Sequence, residues 1–237
     1  MSGAIRIVRA GPLATIQDWG RFGMLRYGVA ASGPMDRGAF LSAGELCRSN
    51  GAAIEFTQAG LDFEVVEAPM EAGLAGGNFR LLLNGIEQPW PALLLLVPGD
   101  LVSIRPGPGG NYGYVRMNRE LDVPRLMGSR STNVTVGLGG LAGRPLRAGD
   151  MIRLTAPGAD HPAIAPRPLP APGPIRFVWG LHADLFGPEL RGRFIDRPFT
   201  VSKRMDRMGV RLGDPGGVFA AFRALSLVSD AVVPGDI

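Results

Sequence analysis

Glycine and proline punctuate this sequence so often that long regular elements have little room to form. Of its 237 residues, 35 are glycine and 21 are proline. The apolar segments between them are short, and several alternate with polar residues, as half-buried strands do. Three of these segments follow a similar tight turn, at residues 97–104, 147–154 and 233–237. Many short strands joined by such turns predict a mainly β protein, either a barrel or a sandwich.

Individual elements can be predicted on the same basis. Strands are expected at residues 4–9, 53–56, 61–66, 92–97, 113–117 and 175–179, and the pair Asn84-Gly85 predicts a type I′ hairpin within 79–86. Helices are few. The strongest candidate covers residues 34–48 with Ser32 as its N-cap, and shorter ones are predicted at 182–185 and 216–224. Residues 107–110 contain three glycines but no following Lys-Ser/Thr, which favours a loop over a phosphate-binding site.

A break in composition divides the chain. Residues 156–174 include seven prolines and show no hydrophobic period, which is typical of an interdomain linker or a long surface excursion. The sequence therefore predicts an N-terminal β domain at residues 1–155 and a shorter, mainly β domain at residues 175–237.

Composition excludes several classes of protein. The net charge is +4, but the basic residues are spread among acidic ones, so nucleic-acid binding is not expected. No apolar run is long enough to span a bilayer, and the first ten residues do not resemble a signal peptide. Cys47 is the only cysteine. A cytoplasmic protein without membrane contact is expected.

Residues 15–36 combine four glycines with aromatic and polar side chains, a pattern typical of an ordered, functional loop. Gln17, Asp18 and Arg21 form either a site or a network that pins the loop, and Ser32 belongs to the same segment. Glu55 lies within an apolar strand. It is either a buried carboxylate suited to act as a general base or an outward-facing side chain.

Two further polar groups are candidates for anion binding. In the first, hydroxyls flank a guanidinium at Ser129, Arg130 and Ser131, which suits a carboxylate, carbamate or phosphate, or else a structural arginine at a turn. The second is either an anion site or an internal ion-pair network, and consists of Ser202, Arg204, Asp206, Arg207 and Arg211. The two histidines, His161 and His182, are far apart in sequence, and no ligand spacing predicts a metal site.

Several segments together resemble a known family. They include Gly11-Pro-Leu-Ala-Thr-Ile-Gln-Asp-Trp-Gly-Arg-Phe-Gly23, Leu121-Asp-Val-Pro-Arg-Leu-Met-Gly-Ser-Arg-Ser-Thr132 and Thr200-Val-Ser-Lys-Arg-Met-Asp-Arg-Met-Gly-Val-Arg-Leu212, with further matches at 28–36, 50–55, 139–150 and 232–235. In this order they resemble the family that comprises biotin-dependent carboxyltransferases, allophanate hydrolase subunit 2 and the C-type subunit of 5-oxoprolinase. The resemblance implies a cyclophilin-like β-barrel architecture in two units with few helices.

The resemblance also implies a function. Such a chain would be the C-type subunit of an ATP-dependent 5-oxoprolinase or part of a related biotin-dependent amide or urea carboxyltransferase, working with a related B-type subunit on a lactam or ureido substrate. ATP and biotin are therefore possible cofactors of the complex. The expected alternative is a non-catalytic regulatory paralogue that binds a kinase-inhibitor-type partner.

Within this resemblance, Asp18, Glu55 and Asp206 are the candidate catalytic carboxylates. The residues expected to contact the substrate are Gln17, Arg21, Ser32, Ser129, Arg130, Ser131, Ser202, Arg204, Arg207 and Arg211. The chain also departs from the family pattern: Arg119 and Glu120 replace a usual pair of glycines, and Asn78 ends a segment that usually ends in aspartate. Relatives continue beyond the equivalent of Ile237, so the second β unit is expected to lack strands.

Overall fold

The computed structural model describes residues 2–157, 173–180, 182–205, 207 and 209–222, and strands dominate its regular structure. The chain divides into two compact units, Met1–Leu169 and Pro170–Ile237. The division falls inside the proline-rich segment, while the domain limits of 155 and 175 stay a prediction. The described strands of the first unit are β1 (Gly3–Ala10), β2 (Thr15–Gln17), β3 (Ala53–Thr57), β4 (Leu61–Glu67), β5 (Met70–Leu83), β6 (Ile86–Gln88), β7 (Ala92–Leu96), β8 (Leu101–Met117), β9 (Arg119–Leu121) and β10 (Met151–Pro157).

The long strand β8 organises the sheet of the first unit. One edge of β8 pairs with β5, and its other edge pairs first with β4 and then with β3. The main path through the sheet runs β2-β3-β8-β4-β1-β10-β9, and every pairing within it is antiparallel. Because one strand serves different neighbours along its length, the sheet curls into a half-barrel. The expected mainly β class is thus confirmed.

The core of this unit fills the concave space of the sheet with aliphatic and aromatic side chains. Ile7, Ile54, Phe63 and Val102, from four different strands, are all fully buried. Phe56 packs edge-on against Phe79 with ring centroids 5.0 Å apart. Gly113 lies directly beneath the Phe56 ring, where a side chain would collide with it. Burial of this apolar surface is the main favourable contribution to folding of the unit.

Several turn predictions are confirmed with their expected chemistry. Asn84 and Gly85 both have positive φ, at 50° and 82°, as a type I′ turn requires, and they join β5 to β6. Asp100 accepts a hydrogen bond from the amide of Val97, and Asp150 accepts one from the amide of Arg147. The third turn of this type, at residues 233–237, lies outside the described residues.

Helix α1 (Arg37–Leu46) is shorter than predicted, and its N-cap is Asp36 rather than Ser32. The Asp36 carboxylate accepts a hydrogen bond from the Ala39 amide at 2.9 Å, whereas Ser32 has a positive φ of 59° and lies upstream. The face that packs on the sheet contains Ala39, Phe40, Ser42, Ala43 and Gly44. Small side chains predominate there because the helix backbone approaches β5 closely.

Two other predictions for local structure were wrong. Residues 107–110 are not a loop but part of β8, opposite a register shift in β5, where glycine fits the irregular pairing. In the described part of the chain, residues 175–179 contain a single β-bridge residue, Val178, and no strand. Their apolar pattern predicted a strand without identifying a pairing partner, and pairing is what stabilises a strand.

The second unit, taken by itself, contains α2 (Pro188–Asp196), a 3-10 helix at Ala183–Leu185, and a hairpin of β11 (Thr200–Met205) and β12 (Val210–Gly213). The 3-10 helix overlaps the predicted short helix at 182–185. Residues 218–221 form turns instead of the predicted helix. Helix α2 was not predicted, although Pro188 at its first turn and Glu189 beside it are characteristic start signals. Among the described residues, no helix has the length and apolar character needed to cross a membrane.

The contact between α1 and β5 gives a test of the packing. A Cβ added at Gly73 would collide with the carbonyl oxygen of Ala43, so Gly73→Ala forces the helix away from the sheet. We expect a loss of about 2 kcal/mol or more in the free energy of unfolding, measured by urea denaturation.

Gly109→Ala is the matched control, because a Cβ at this strand glycine meets nothing within 4 Å. It should change stability by less than about 0.5 kcal/mol. Equal stabilities for the two variants would contradict the proposed helix–sheet packing.

Candidate functional site

Three segments that are distant in sequence meet at one pocket on the first unit. The pocket has a volume of about 170 Å³ and is lined by Asp18, Trp19, Gly20, Asn50, Ala52, Glu120, Arg125, Gly128 and Arg130. The glycine-rich loop after β2 forms one wall, the turn before β3 forms a second, and the segment after β9 forms a third. Sequence segments 11–23, 50–55 and 121–132, which carry the family resemblance, therefore come together in space.

Asp18 joins two of these walls. Its Oδ1 atom accepts hydrogen bonds from the Gly20 amide at 2.9 Å, the Ser129 hydroxyl at 2.5 Å and the Ser131 hydroxyl at 2.7 Å. Its Oδ2 atom accepts one from the Arg130 amide at 2.6 Å. The carboxylate therefore fixes the position of the 129–131 turn relative to the glycine-rich loop.

These hydrogen bonds also set the charge of Asp18. Burial acts to raise the pKa of this carboxyl group, but the bonds from Ser129, Arg130, Ser131 and Gly20 outweigh burial and leave the pKa below its ordinary value of 3.8. Asp18 is consequently ionised at neutral pH, and its charge is already used by protein donors.

Two buried side chains, Gln17 and Arg21, also hold the glycine-rich loop against the segment around residues 129–131. The buried Gln17 amide donates to Thr15 and to the Thr132 carbonyl, and its oxygen accepts from the Gly33 amide. Arg21 is only 2% exposed and donates to the Ser131 carbonyl and the Ser32 hydroxyl. The structure therefore brings Gln17, Arg21, Ser32, Ser129 and Ser131 together, with their polar groups largely directed at one another.

Arg130 presents a different arrangement. Its Nε atom donates to the Val123 carbonyl at 3.0 Å and lies 3.8 Å from the Glu120 carboxylate. Within the described residues its two terminal nitrogens have no hydrogen-bond partner. One side of the guanidinium is thus anchored while the other remains available at the pocket wall. Such a group suits a planar carboxylate or a developing oxyanion.

Sequence reasoning missed four side chains of this pocket, namely Trp19, Asn50, Glu120 and Arg125. Arg125 is exposed and stands five residues before Arg130 in the 121–132 segment, so this segment alone supplies two cations. Trp19 packs edge-on against Phe40, with ring centroids 5.0 Å apart, and forms an apolar wall. Glu120 was noted only as a departure from the family pattern. This departure from the family pattern was the sequence feature that could have identified Glu120 as a pocket residue.

Glu55 is not among the residues that line the pocket. It is 1% exposed, as the general-base hypothesis required, and its Oε2 accepts hydrogen bonds from the Met35 amide at 2.9 Å and the Tyr114 hydroxyl at 2.7 Å. The same hydroxyl accepts a bond from the Asp36 amide. Glu55 therefore holds the chain at the entrance to helix α1.

The candidates in the second unit are described only in part. Ser202 lies on β11 and the exposed Arg211 on β12, with Arg207 between these strands. The side chain of Arg204, the whole of Asp206 and His161 lie outside the described residues. In the described part of the chain, no group of three or more His, Cys, Asp or Glu residues is arranged to hold a metal ion.

Comparisons with known proteins agree with this architecture. The family model for a carboxyltransferase domain, subdomain A and B, matches residues 27–237. The chain belongs to the carboxyltransferase domain family. The match includes Glu120, Arg125 and Arg130, whereas Asp18 lies just before it.

Among individual relatives, the C-type subunit of the 5-oxoprolinase of Escherichia coli K12 is 30% identical over 243 residues, which cover 98% of this chain and 74% of that protein. Urea amidolyase of Lachancea kluyveri is 31% identical over 90% of this chain, but the match spans only 13% of that enzyme. The crystal structure of TTHA0988 superposes with a TM-score of 0.75 at 30% identity, covering 90% of this chain and 78% of that one.

The stabilising role of the Asp18 carboxylate in this carboxyltransferase-family chain can be tested through the pH dependence of the free energy of unfolding. Asp18→Asn places an amide donor opposite two serine hydroxyls, and we expect it to cost about 2 kcal/mol of unfolding free energy at pH 7. Because the pKa of Asp18 is lower in the folded state than its ordinary 3.8, the stabilisation is complete above about pH 5 and declines as the pH falls below 3.8.

Urea unfolding of both proteins between pH 7 and pH 3 measures this effect. The stability difference should be constant down to about pH 5 and then shrink. Asp122→Asn, at an exposed carboxylate in the same segment, is the control and should show no such trend. A difference that grew at low pH would contradict the assignment.

Proposed function

We propose that this chain is the C-type subunit of an ATP-dependent 5-oxoprolinase or of a related biotin-dependent amide or urea carboxyltransferase. In such a complex it acts on a small lactam or ureido substrate. The family match over residues 27–237 supports this, as does the similarity of almost the whole chain to the C-type subunit of a 5-oxoprolinase. The chain matches 74% of that relative, whose name describes it as one subunit of an enzyme. The activity is therefore proposed for a complex.

The observation that carries the proposal is the open side of Arg130 at the pocket. Lactams and ureido groups share a planar amide whose oxygen gains negative charge during attack or carboxyl transfer, and a fixed guanidinium stabilises such charge. The pocket volume of about 170 Å³ lies below the roughly 300–1,000 Å³ typical of drug-sized ligands, so it suits a substrate of few atoms. Trp19 provides an apolar surface against which a planar group can lie.

The predicted site residues take distinct parts in this proposal. Asp18 acts by positioning Arg130 through its backbone amide, and Gln17, Arg21, Ser32, Ser129 and Ser131 hold the surrounding loops. Glu55 supports the start of α1. A contribution to the site from the second unit remains a prediction, and it concerns Ser202, Arg204, Asp206, Arg207 and Arg211.

ATP and biotin belong to the proposed complex rather than to this pocket. No described residues form a glycine-rich loop followed by Lys and Ser or Thr, and the glycines at 107–110 are part of β8. In this proposal, ATP and biotin are bound by other subunits of the complex.

The glycine-rich loop also offers a surface for the related B-type partner. Trp19, Phe22, Leu25 and Tyr27 expose 42%, 61%, 70% and 61% of their surface on one short stretch beside the pocket. Large apolar side chains exposed together are typical of protein–protein contacts. A partner packed there would cover the pocket mouth and exclude water from the substrate.

The catalytic proposal is tested by co-producing the chain with the candidate partner subunits of its own organism. We expect ATP-dependent release of glutamate from 5-oxoproline or ATP-dependent carboxylation of urea. Arg130→Met should lower kcat/KM about 100-fold, which is the usual cost of losing a group that stabilises transition-state charge.

Arg153→Met is the control, because Arg153 is an exposed strand residue of the same unit, and it should retain full activity. Thermal unfolding of both variants verifies that the complex is intact. Full activity in an intact Arg130→Met complex would show that this pocket is not the active site. If a complex with a verified partner showed neither activity, the proposal that the chain belongs to such an enzyme would be wrong.

The partner surface has its own test. Leu25→Asp places a charge in the exposed apolar stretch and should raise the dissociation constant of the complex at least tenfold, measured by calorimetry or size exclusion. Ile86→Asp is the control, since Ile86 is 68% exposed on β6. If Leu25→Asp left the affinity unchanged, the partner would bind to a different surface of the chain.

The alternative of a non-catalytic regulatory role gains no support from the two relatives named above, which bear the names of an enzyme and an enzyme subunit. A cytoplasmic location is part of the same proposal, as expected for a member of such a complex.

A further inference from the structure

Glu120 is a pocket carboxylate with one oxygen in use and one available. Its Oε1 atom accepts a hydrogen bond from the Ala52 amide at 3.0 Å and lies 3.8 Å from Nε of Arg130. Its Oε2 atom has no hydrogen-bond partner among the described residues, and the side chain is 27% exposed. Glu120 can therefore accept a hydrogen bond from a ligand without breaking an existing one.

The position of this carboxylate is built into the surrounding chain. A Cβ added at Gly51 would lie 3.1–3.2 Å from the carboxylate atoms of Glu120, so a side chain there would shift the carboxylate by a few tenths of an ångström. The Glu120 amide donates to the Thr155 hydroxyl at 3.3 Å, which fixes the backbone. The buried Arg116 donates to the Gly51 carbonyl and interacts electrostatically with Glu120.

Asp18, the other carboxylate of the pocket, differs in this respect. Both of its oxygens already accept hydrogen bonds from the protein, four in all. Glu120 Oε2 is thus the carboxylate oxygen of the pocket that is left for a ligand donor.

This arrangement gives the pocket two recognition elements of opposite sign. Arg130 and the exposed Arg125 attract an anionic group, while Glu120 lines the same pocket with the opposite charge. A plain anion would gain from the arginines but suffer repulsion from Glu120. A ligand that carries an N–H donor beside its carboxylate satisfies both elements, since the donor meets Glu120 and the carboxylate meets the arginines.

We propose that Glu120 is the specificity-determining residue of this pocket. It selects small acids that bear an N–H group next to the carboxylate, such as acidic lactams, over plain anions of the same shape. This proposal rests on the proposed function in using the same pocket, and it names the class of substrate that the pocket prefers.

The test compares two probes that differ in a single group. One is 5-oxoproline, a lactam acid, and the other is 5-oxotetrahydrofuran-2-carboxylate, in which a ring oxygen replaces the N–H. Each is titrated calorimetrically into the full chain and into its complex with the partner. The wild type should bind the lactam acid at least tenfold more tightly, because the lactone brings an oxygen lone pair to the Glu120 carboxylate.

Glu120→Gln keeps the shape and an acceptor for Ala52 but removes the charge. In this variant the lactone should bind about fivefold more tightly than in the wild type, and the preference should fall below about threefold. Glu120→Ala, which also removes the acceptor, should abolish the preference. Glu67→Gln, at an exposed glutamate of β4, is the control and should behave as wild type.

The outcomes separate this proposal from the proposed function. Equal binding of both probes by the wild type, with loss of both in Arg130→Met, would overturn the role of Glu120 and leave the pocket as the anion site. A preference that persisted in Glu120→Ala would likewise overturn it. If neither probe binds the chain or its complex, both proposals are overturned.

Discussion

The hydrogen bonds of the Asp18 carboxylate are the interaction on which the candidate site depends. They connect the glycine-rich loop to a turn that begins at Ser129, 111 residues further along the chain. The donors in this turn are the Ser129 hydroxyl, the Arg130 amide and the Ser131 hydroxyl. Apart from a short 3-10 helix at Leu25–Tyr27 and an isolated bridge between Leu126 and Ser129, neither segment has regular secondary structure that would fix it independently. A charged acceptor with several short bonds can order such loops because charge-assisted hydrogen bonds are roughly twice as strong as neutral ones.

The polar residues around the pocket divide into two groups with different physical roles. Gln17, Asp18 and Arg21 direct their hydrogen-bonding groups at the protein, so they lower the energy of one loop arrangement. Arg125 and Arg130 retain donors that the described protein groups do not use. A site of this kind can stabilise charge on a ligand without reorganising, because its framework is already held in place.

The sheet explains how these segments reach one place. Strand β8 pairs with β3 near its C-terminal end, and β9 begins two residues after β8. The start of β3 and strand β9 therefore lie side by side, which brings Ala52 next to Glu120. Strand β2 pairs with the other edge of β3 and delivers the glycine-rich loop to the same end of the sheet. The pocket lies where these strands end.

Sequence alone determined the mainly β class, the hairpin at Asn84-Gly85 and the Asp100 and Asp150 turns, and it predicted residues 15–36 and 129–131 as candidate site segments. These features depend on local backbone preferences or on motifs that are contiguous in the chain. Tertiary structure decided the N-cap of α1, the inclusion of residues 107–110 in β8, and the difference between Asp18, whose acceptors are filled, and Glu120, which retains an available oxygen among the described residues. Those outcomes depend on which donors from distant parts of the chain surround a group. The identity of a residue in the sequence does not specify these donors.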